Sequence, residues 1–181
     1  SVPQMEATHT NPKSLFNAHQ AFKTVGEVLK NMPAHIIDWG QIPAINGHVG
    51  RKHSDIIIDR YASLIHGERD HKTRINKLHP EKPSYTIIVG SDKGGGKGHV
   101  HPFEPREVTP RESARIQTFP DWWEFFGTGR HIIRQVGNAV PPLFAAILAK
   151  HISKNVFGRK INSSYHELVN KLQIDFITND N

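Results

Sequence analysis

Apolar residues in this chain come in short runs separated by polar, glycine and proline punctuation, and each run predicts one element. In "TVGEVLKNMP", Thr24 caps a short helix, Glu27 stands three residues on as in a capping box, and Pro33 ends it. The stretch "DIIIDRYASLIHGERDHKTRINKL" predicts one strand or one helix followed by a basic loop. Residues 85–89 read as a strand, followed by a loop loosened by Gly90, Gly94, Gly95, Gly96 and Gly98. The firmest helix start lies in "TPRESARIQTFPDWWEFFG": Thr109 is the N-cap and Pro110 takes the first helical position, where its missing N–H costs nothing. Glu112 closes a capping box. Ala114, Ile116 and Phe119 give that helix an apolar side and Pro120 ends it. The dense aromatics Trp122, Trp123, Phe125 and Phe126 read first as a satellite of the core, and otherwise as a surface for stacking bases. In "RQVGNAVPP", Gly137 and two prolines fix the start of a helix over 142–152. Its stripe is Leu143, Phe144, Ile147, Leu148 and Ile152. "SYHELVNKLQIDFI" predicts one more amphipathic helix in the tail.

Composition narrows the class. At 181 residues, 36% hydrophobic and 22% charged, the chain fits one medium globular domain or two small ones. A net charge of +6 and a pI of about 9.7 favour a polyanionic partner such as nucleic acid. No window approaches eighteen consecutive apolar residues and the N-terminus lacks the layout of a secretory signal, so a cytoplasmic protein without a membrane segment is expected. There is no cysteine, which excludes disulfides, thiolate metal sites and a cysteine nucleophile within this sequence.

Two motifs test poorly. "GSDKGGGKGH" fails the Walker pattern, because Gly96 and Lys97 stand where Lys and Ser or Thr are required. It reads either as a flexible hairpin loop or as a glycine-rich finger carrying Lys93 and Lys97 to a nucleic-acid backbone. Of the 13 histidines the tightest group is His99 and His101. Alternate residues of a strand point to opposite faces and no cysteine or H-E-x-x-H completes a set, so no metal site is expected.

Further along, "REVTPRESARIQTFPD" resembles the ninth motif of the DNA (cytosine-5)-methyltransferase family, and "RQVGNAVPPLFAAILAKHI" resembles its tenth, in the family's order and spacing. "KPSYTIIVGSDKGGGKGHVHP" resembles the end of that family's target recognition domain, where a Thr-Leu or Thr-Ile pair enters the major groove; here the pair is Thr86-Ile87. "FKTVGEVLKNMP" resembles the segment after the eighth motif. Val2-Pro3-Gln4 either begins that motif or matches by accident, because Glu6 and Thr8 stand where arginines are expected. The resemblance runs from about Phe22 to His151 and is most specific in its last forty residues or so.

What the family's chemistry requires is missing here: the Pro-Cys motif, the Glu-Asn-Val motif and the glycine-rich motif for S-adenosylmethionine. The resemblance therefore implies a split enzyme. A catalytic subunit carrying Pro-Cys and Glu-Asn-Val would attack cytosine, and this chain, inactive alone, would grip double-stranded DNA. The implied fold is α+β. Residues 1–35 would be the end of the catalytic domain with a short helix, and 36–105 a mainly β or irregular recognition domain. Residues 106–155 would hold the two last motifs, whose helices complete the Rossmann-like α/β domain of the partner, and 156–181 a polar tail. Asn138, Ala139 and Val140 are the implied S-adenosylmethionine contacts. Thr86, Ile87, Lys93, Lys97, Arg69, Lys72 and Arg74 are the implied DNA contacts, while Arg111, Glu112, Gln135 and Gly137 are structural. A DNA-binding fragment or remnant of such an enzyme is the alternative.

Overall fold

The structure, a computed structural model, describes residues 3–5, 7–10, 20–37, 40–87, 98–159 and 161–177. It is mostly helical and irregular. A two-residue parallel pair, β1 (His9–Thr10) with β2 (Gln20–Ala21), leads into α1 (Val25–Leu29). Then come α2 (Asp55–Ser63), α3 (Pro110–Ile116), α4 (Gly129–Asn138), α5 (Pro142–Asn155), α6 (Tyr165–Leu172) and a 3-10 turn at Asp175–Ile177.

The capping residues behave as their spacing predicts. Thr24 Oγ1 accepts from the Glu27 N–H at 3.3 Å while the Thr24 N–H donates to Glu27 Oε2 at 2.8 Å, so two orphan donors of α1 are satisfied together. Thr109 and Glu112 repeat the arrangement on α3, at 3.1 and 2.7 Å. Ser164 and Glu167 repeat it on α6, at 3.1 and 2.6 Å. The stretch that reads as strand or helix is helix α2. By contrast, α3 stops well before Pro120. Thr118 takes φ +62°, a left-handed conformation that ends the helix after Ile116.

Of the mainly β or irregular character expected for residues 36–105, the described residues show the irregular part and not the β part. Among the described residues of 36–105 there is one helix and no strand. Single bridges tie the backbone together: Ile36 with Val49, Arg69 with Asn76, and Lys77 with Val100. The sequence there is dense in histidine, charge, glycine and proline, and lacks the sustained period-two alternation that a ladder needs. Residues 85–87 form no strand, and 88–89 lie outside the described residues.

Four apolar clusters hold the chain together. Ile87, Ala114, Phe119, Phe125, Ile132 and Val136 join α3 to α4, and Val25 and Leu29 of α1 pack with Leu78 and Val108. Tyr61, Leu64, Ile75 and Val100 fix α2. Leu143 of α5 packs with Val169, Ile174 and Ile177 of the tail, which places the tail inside the fold.

Candidate functional site

α3 carries a buried polar hub. Arg111 has no exposed surface, and its guanidinium donates to the carbonyls of Asn46 at 2.6 Å, Pro120 at 3.1 Å and Trp123. Among the described residues no carboxylate forms an ion pair with it, and burial lowers its pKa to about 10 against the pull of Asp121, which leaves it charged at neutral pH. An arginine suits the place because its planar fork reaches several acceptors at once. Glu112 is equally buried and receives two N–H groups of Arg106, at 2.9 and 2.8 Å. Burial alone would raise the Glu112 pKa, but Arg106 holds it below the usual carboxylate range. His48 links the hub to the N-terminal segment, with Nδ1 2.9 Å from Thr109 Oγ1 and Nε2 2.8 Å from the Pro33 carbonyl. Arg115 pairs with Asp121 and donates to the Lys30 carbonyl at 3.3 Å.

The hub also absorbs the two histidines of "HVHP". His101 Nδ1 accepts the backbone N–H groups of Phe103 and Glu104, at 3.2 and 3.1 Å, and burial brings its pKa down to about 4. His99 Nε2 stands 3.1 Å from the Thr86 carbonyl. Among the described residues no group of three or more His, Asp or Glu is placed to hold a metal ion.

On the recognition side, three of the predicted DNA contacts share one turn. Asp70 is fully buried, accepts the Thr73 N–H at 2.6 Å and stands 2.8 Å from Arg60 Nε. Around it Arg69 Nε donates to the Arg74 carbonyl at 2.9 Å, and Arg74 takes φ +63°. The turn therefore displays Arg69, Lys72 and Arg74 as exposed side chains on a buried ionic base. Tyr85 reaches the foot of this turn through its hydroxyl, 3.4 Å from the Gly67 carbonyl, and brings the exposed Thr86 alongside. Ile87 does not share that surface. It is 7% exposed and packs on Phe119 and Ile132 in the core, so Thr86 alone of the pair faces outward. Lys93 and Lys97 lie outside the described residues, as do Val2 and Glu6. Gly98, at the end of the glycine-rich stretch, has a structural reason: a Cβ there would stand 2.9 Å from the Val108 carbonyl oxygen.

The turn between α4 and α5 is presented to solvent. Asn138 ends α4 with its side chain exposed, and Gly137 lies in the same last turn. Ala139 caps it through an N–H to the Val136 carbonyl at 3.2 Å, and Val140 is 58% exposed. Gln135 donates from Nε2 to the Phe126 carbonyl at 2.8 Å, tying α4 to the loop before it. Just past the turn, Pro141 and Phe144 line a cleft of about 530 Å³ whose other walls include Thr24, Tyr85, Thr86 and Tyr165. The cleft thus runs between residues 83–87 and the start of α5. The stripe of α5 is divided: Leu143 and Ile147 turn toward α6, while Phe144 and Ile152, together with Val156 and Phe157, remain exposed. Taken as one segment, 129–155 has the length and hydropathy of a membrane span. The break at Ala139–Val140–Pro141 divides it into helices of 10 and 14 residues, each shorter than a bilayer core requires.

His48, Asp70, Arg106 and Arg115 were not singled out by sequence reasoning. The partners of His48 lie 15 and 61 residues away, and no local pattern marks such a pairing.

Comparison with known proteins bears on both halves of this arrangement. A family model described as C-5 cytosine-specific DNA methylase matches residues 5–154. Type II methyltransferase M.BbvI of Brevibacillus brevis is 49% identical over 93 residues, which are 49% of this chain and 24% of that protein. M.NgoFVII of Neisseria gonorrhoeae is 34% identical over 156 residues, 81% of this chain and 40% of its own length. Type II methyltransferase M.AquIB of Picosynechococcus is 42% identical over 91 residues, 44% of this chain but 63% of that protein, which makes it a short chain too. A prophage-encoded E. coli protein, solved as a DNA modification methyltransferase, superposes with a TM-score of 0.57 at 33% identity, covering 74% of this chain and 46% of its own. The chain thus spans about a quarter of the length of M.BbvI and two fifths of that of M.NgoFVII.

Proposed function

This chain belongs to the C-5 cytosine-specific DNA methylase family, and from that premise we propose that it is the DNA-recognition and cofactor-closing part of a site-specific cytosine-5 methyltransferase. The cysteine nucleophile and the Glu-Asn-Val motif stand on a separate catalytic chain. The observation that carries this reading is a ninth-motif hub closed within the chain beside an exposed tenth-motif turn. The short relative M.AquIB supports the division, because most of its length corresponds to the same segment.

Each surface then has a task. Arg69, Lys72 and Arg74 neutralise phosphates, giving affinity that falls with salt, and their buried Asp70 base keeps them in register. Thr86 offers a hydroxyl to base edges in the major groove next to that turn. Lys93 and Lys97, outside the described residues, are assigned to DNA on their charge alone. Asn138 supplies an amide and Val140 an apolar face at the mouth of the cofactor pocket, a donor set that fits the polar and apolar parts of S-adenosylmethionine. When bound, that cofactor supplies the methyl group for C5 of cytosine. The exposed residues Phe144, Ile152 and Val156 of the α5 stripe seat on the α/β domain of the catalytic chain.

The division of labour is tested by two variants in the mixed enzyme. Asn138→Ala raises the KM for S-adenosylmethionine roughly tenfold and leaves duplex affinity unchanged, whereas Lys72→Gln with Arg74→Gln does the reverse and flattens the salt dependence by about two ions. Equal losses by both variants in both assays overturn the assignment.

A further inference from the structure

The family match ends at residue 154, yet the residues beyond it hold the helix on which the match ends. Among the described elements, α5 packs on α6 and on no other helix. Among the described residues its direct hydrogen bonds to the body of the chain are few. The Leu143 N–H donates to Thr118 Oγ1 at 3.2 Å, and His151 Nε2 stands 2.8 Å from the Pro3 carbonyl. A helix of 14 residues held only by these and by the linker before it would fray, since isolated helices of that length are marginal in water.

The tail supplies what is missing, from both sides. Toward α5, Val169 and Ile174 are 1% and 0% exposed and enclose Leu143 and Ile147, and Lys150 donates to the Ser163 carbonyl. Toward the body, the 3-10 turn packs on α1, and the Phe176 ring lies 4.9 Å from the Arg115 guanidinium of α3. Trp122 Nε1–H donates to the Leu172 carbonyl at 3.2 Å, and the Tyr165 ring meets His9 edge-on at 4.8 Å.

We propose that residues 161–177 form a positioning strap that fixes α5, and with it the turn at 138–140, against α1 and α3 before any catalytic chain docks. Val169, Ile174 and Ile177 are the positioning residues. They act through α5 and touch neither DNA nor cofactor. The consequence for catalysis rests on the function proposed above; the strap itself does not.

The test uses the full chain with Ile174→Ala and Ile177→Ala together, because neither side chain belongs to the clusters that join α3 to α4. Amide hydrogen exchange of the chain alone is expected to quicken roughly tenfold or more over 143–152 while α3 and α4 stay within about twofold. Unchanged exchange in α5 overturns the strap, and so does equal acceleration in α3, which reports general unfolding. In the mixed enzyme the same variant raises the KM for S-adenosylmethionine about three- to tenfold at nearly constant kcat and constant duplex affinity, and Ile174→Val with Ile177→Val recovers most of it. Faster exchange in α5 with an unaltered KM overturns the link to the turn. Should the wild-type mixture lack activity, the function proposed above fails, and the exchange measurement still decides the strap.

Discussion

Of the seven residues of α3, the six from Pro110 to Arg115 are buried, whereas of the fourteen in α5 only Leu143 is. Both helices belong to the segment matched by one family, and both begin with proline at the first helical position. The difference lies in where their partners are. α3 finds its partners within this chain: carbonyls of Asn46, Pro120 and Trp123 for Arg111, and the paired Arg106 for Glu112. Among the described residues α5 finds a partner for one side, in the tail, and shows Phe144 and Ile152, with Val156 just past its end, to solvent. A helix with a saturated polar surround is a local organiser. A helix with one apolar side uncovered is half of an interface.

Removing the organiser gives the largest effect. Arg111→Ala removes the guanidinium that joins the carbonyls of Asn46, Pro120 and Trp123 and opens a cavity at a fully buried position, so the chain loses about 3–5 kcal/mol in urea unfolding. A loss under about 1 kcal/mol would mean that α3 is not the hub described here.

Acid probes the same hub more gently. In the unfolded chain His101 takes up a proton near pH 6.5, but in the fold it stays neutral until about pH 4, so the unfolded state binds more protons in between. Its contribution is therefore present above pH 6.5 and is lost progressively as pH falls toward about 4. Glu112 adds to the loss further down, since its lowered pKa favours the fold only while it is ionised. His101→Asn keeps an oxygen where Nδ1 accepts two N–H groups and removes the titration, which reduces the slope of stability in that window by up to roughly 1.4 kcal/mol per pH unit. An unchanged slope would place the acid sensitivity elsewhere, in His48 or His99, whose pKa values burial also lowers.

The smallest effect on stability belongs to α5. Phe144→Ser changes the stability of this chain by no more than about 0.5 kcal/mol, because the ring is 49% exposed. The same change weakens association with the catalytic chain roughly tenfold in a titration by calorimetry. A large loss of stability with intact association would reverse the contrast between the two helices.

What could be read from the sequence follows the reach of each interaction. The caps Thr24 with Glu27 and Thr109 with Glu112 span three residues and were legible, as was the tail helix from its apolar period. The end of α3 was misplaced at Pro120, because a left-handed threonine carries no strong signal. Residues 85–87, the described part of the run 85–89, form no strand, since apolar and hydroxyl residues look like a strand whether or not a ladder receives them. The resemblance implies a DNA contact for Ile87 as for Thr86, but neighbours in an extended segment face opposite ways, and Ile87 is the one that joins the buried cluster of Phe119 and Ile132. The links from His48 to Thr109 and from Arg111 to Asn46 span 61 and 65 residues, so only the fold brings them together.

The proposal that this chain completes an enzyme whose cysteine lies on another chain is tested most directly by titration. A catalytic chain carrying Pro-Cys and Glu-Asn-Val is held fixed, and methyl transfer from labelled S-adenosylmethionine to duplex DNA is followed as this chain is added. The account predicts no transfer by either chain alone and a rate that rises to a plateau at one equivalent. Full activity of the catalytic chain by itself, or none at any ratio, would contradict it.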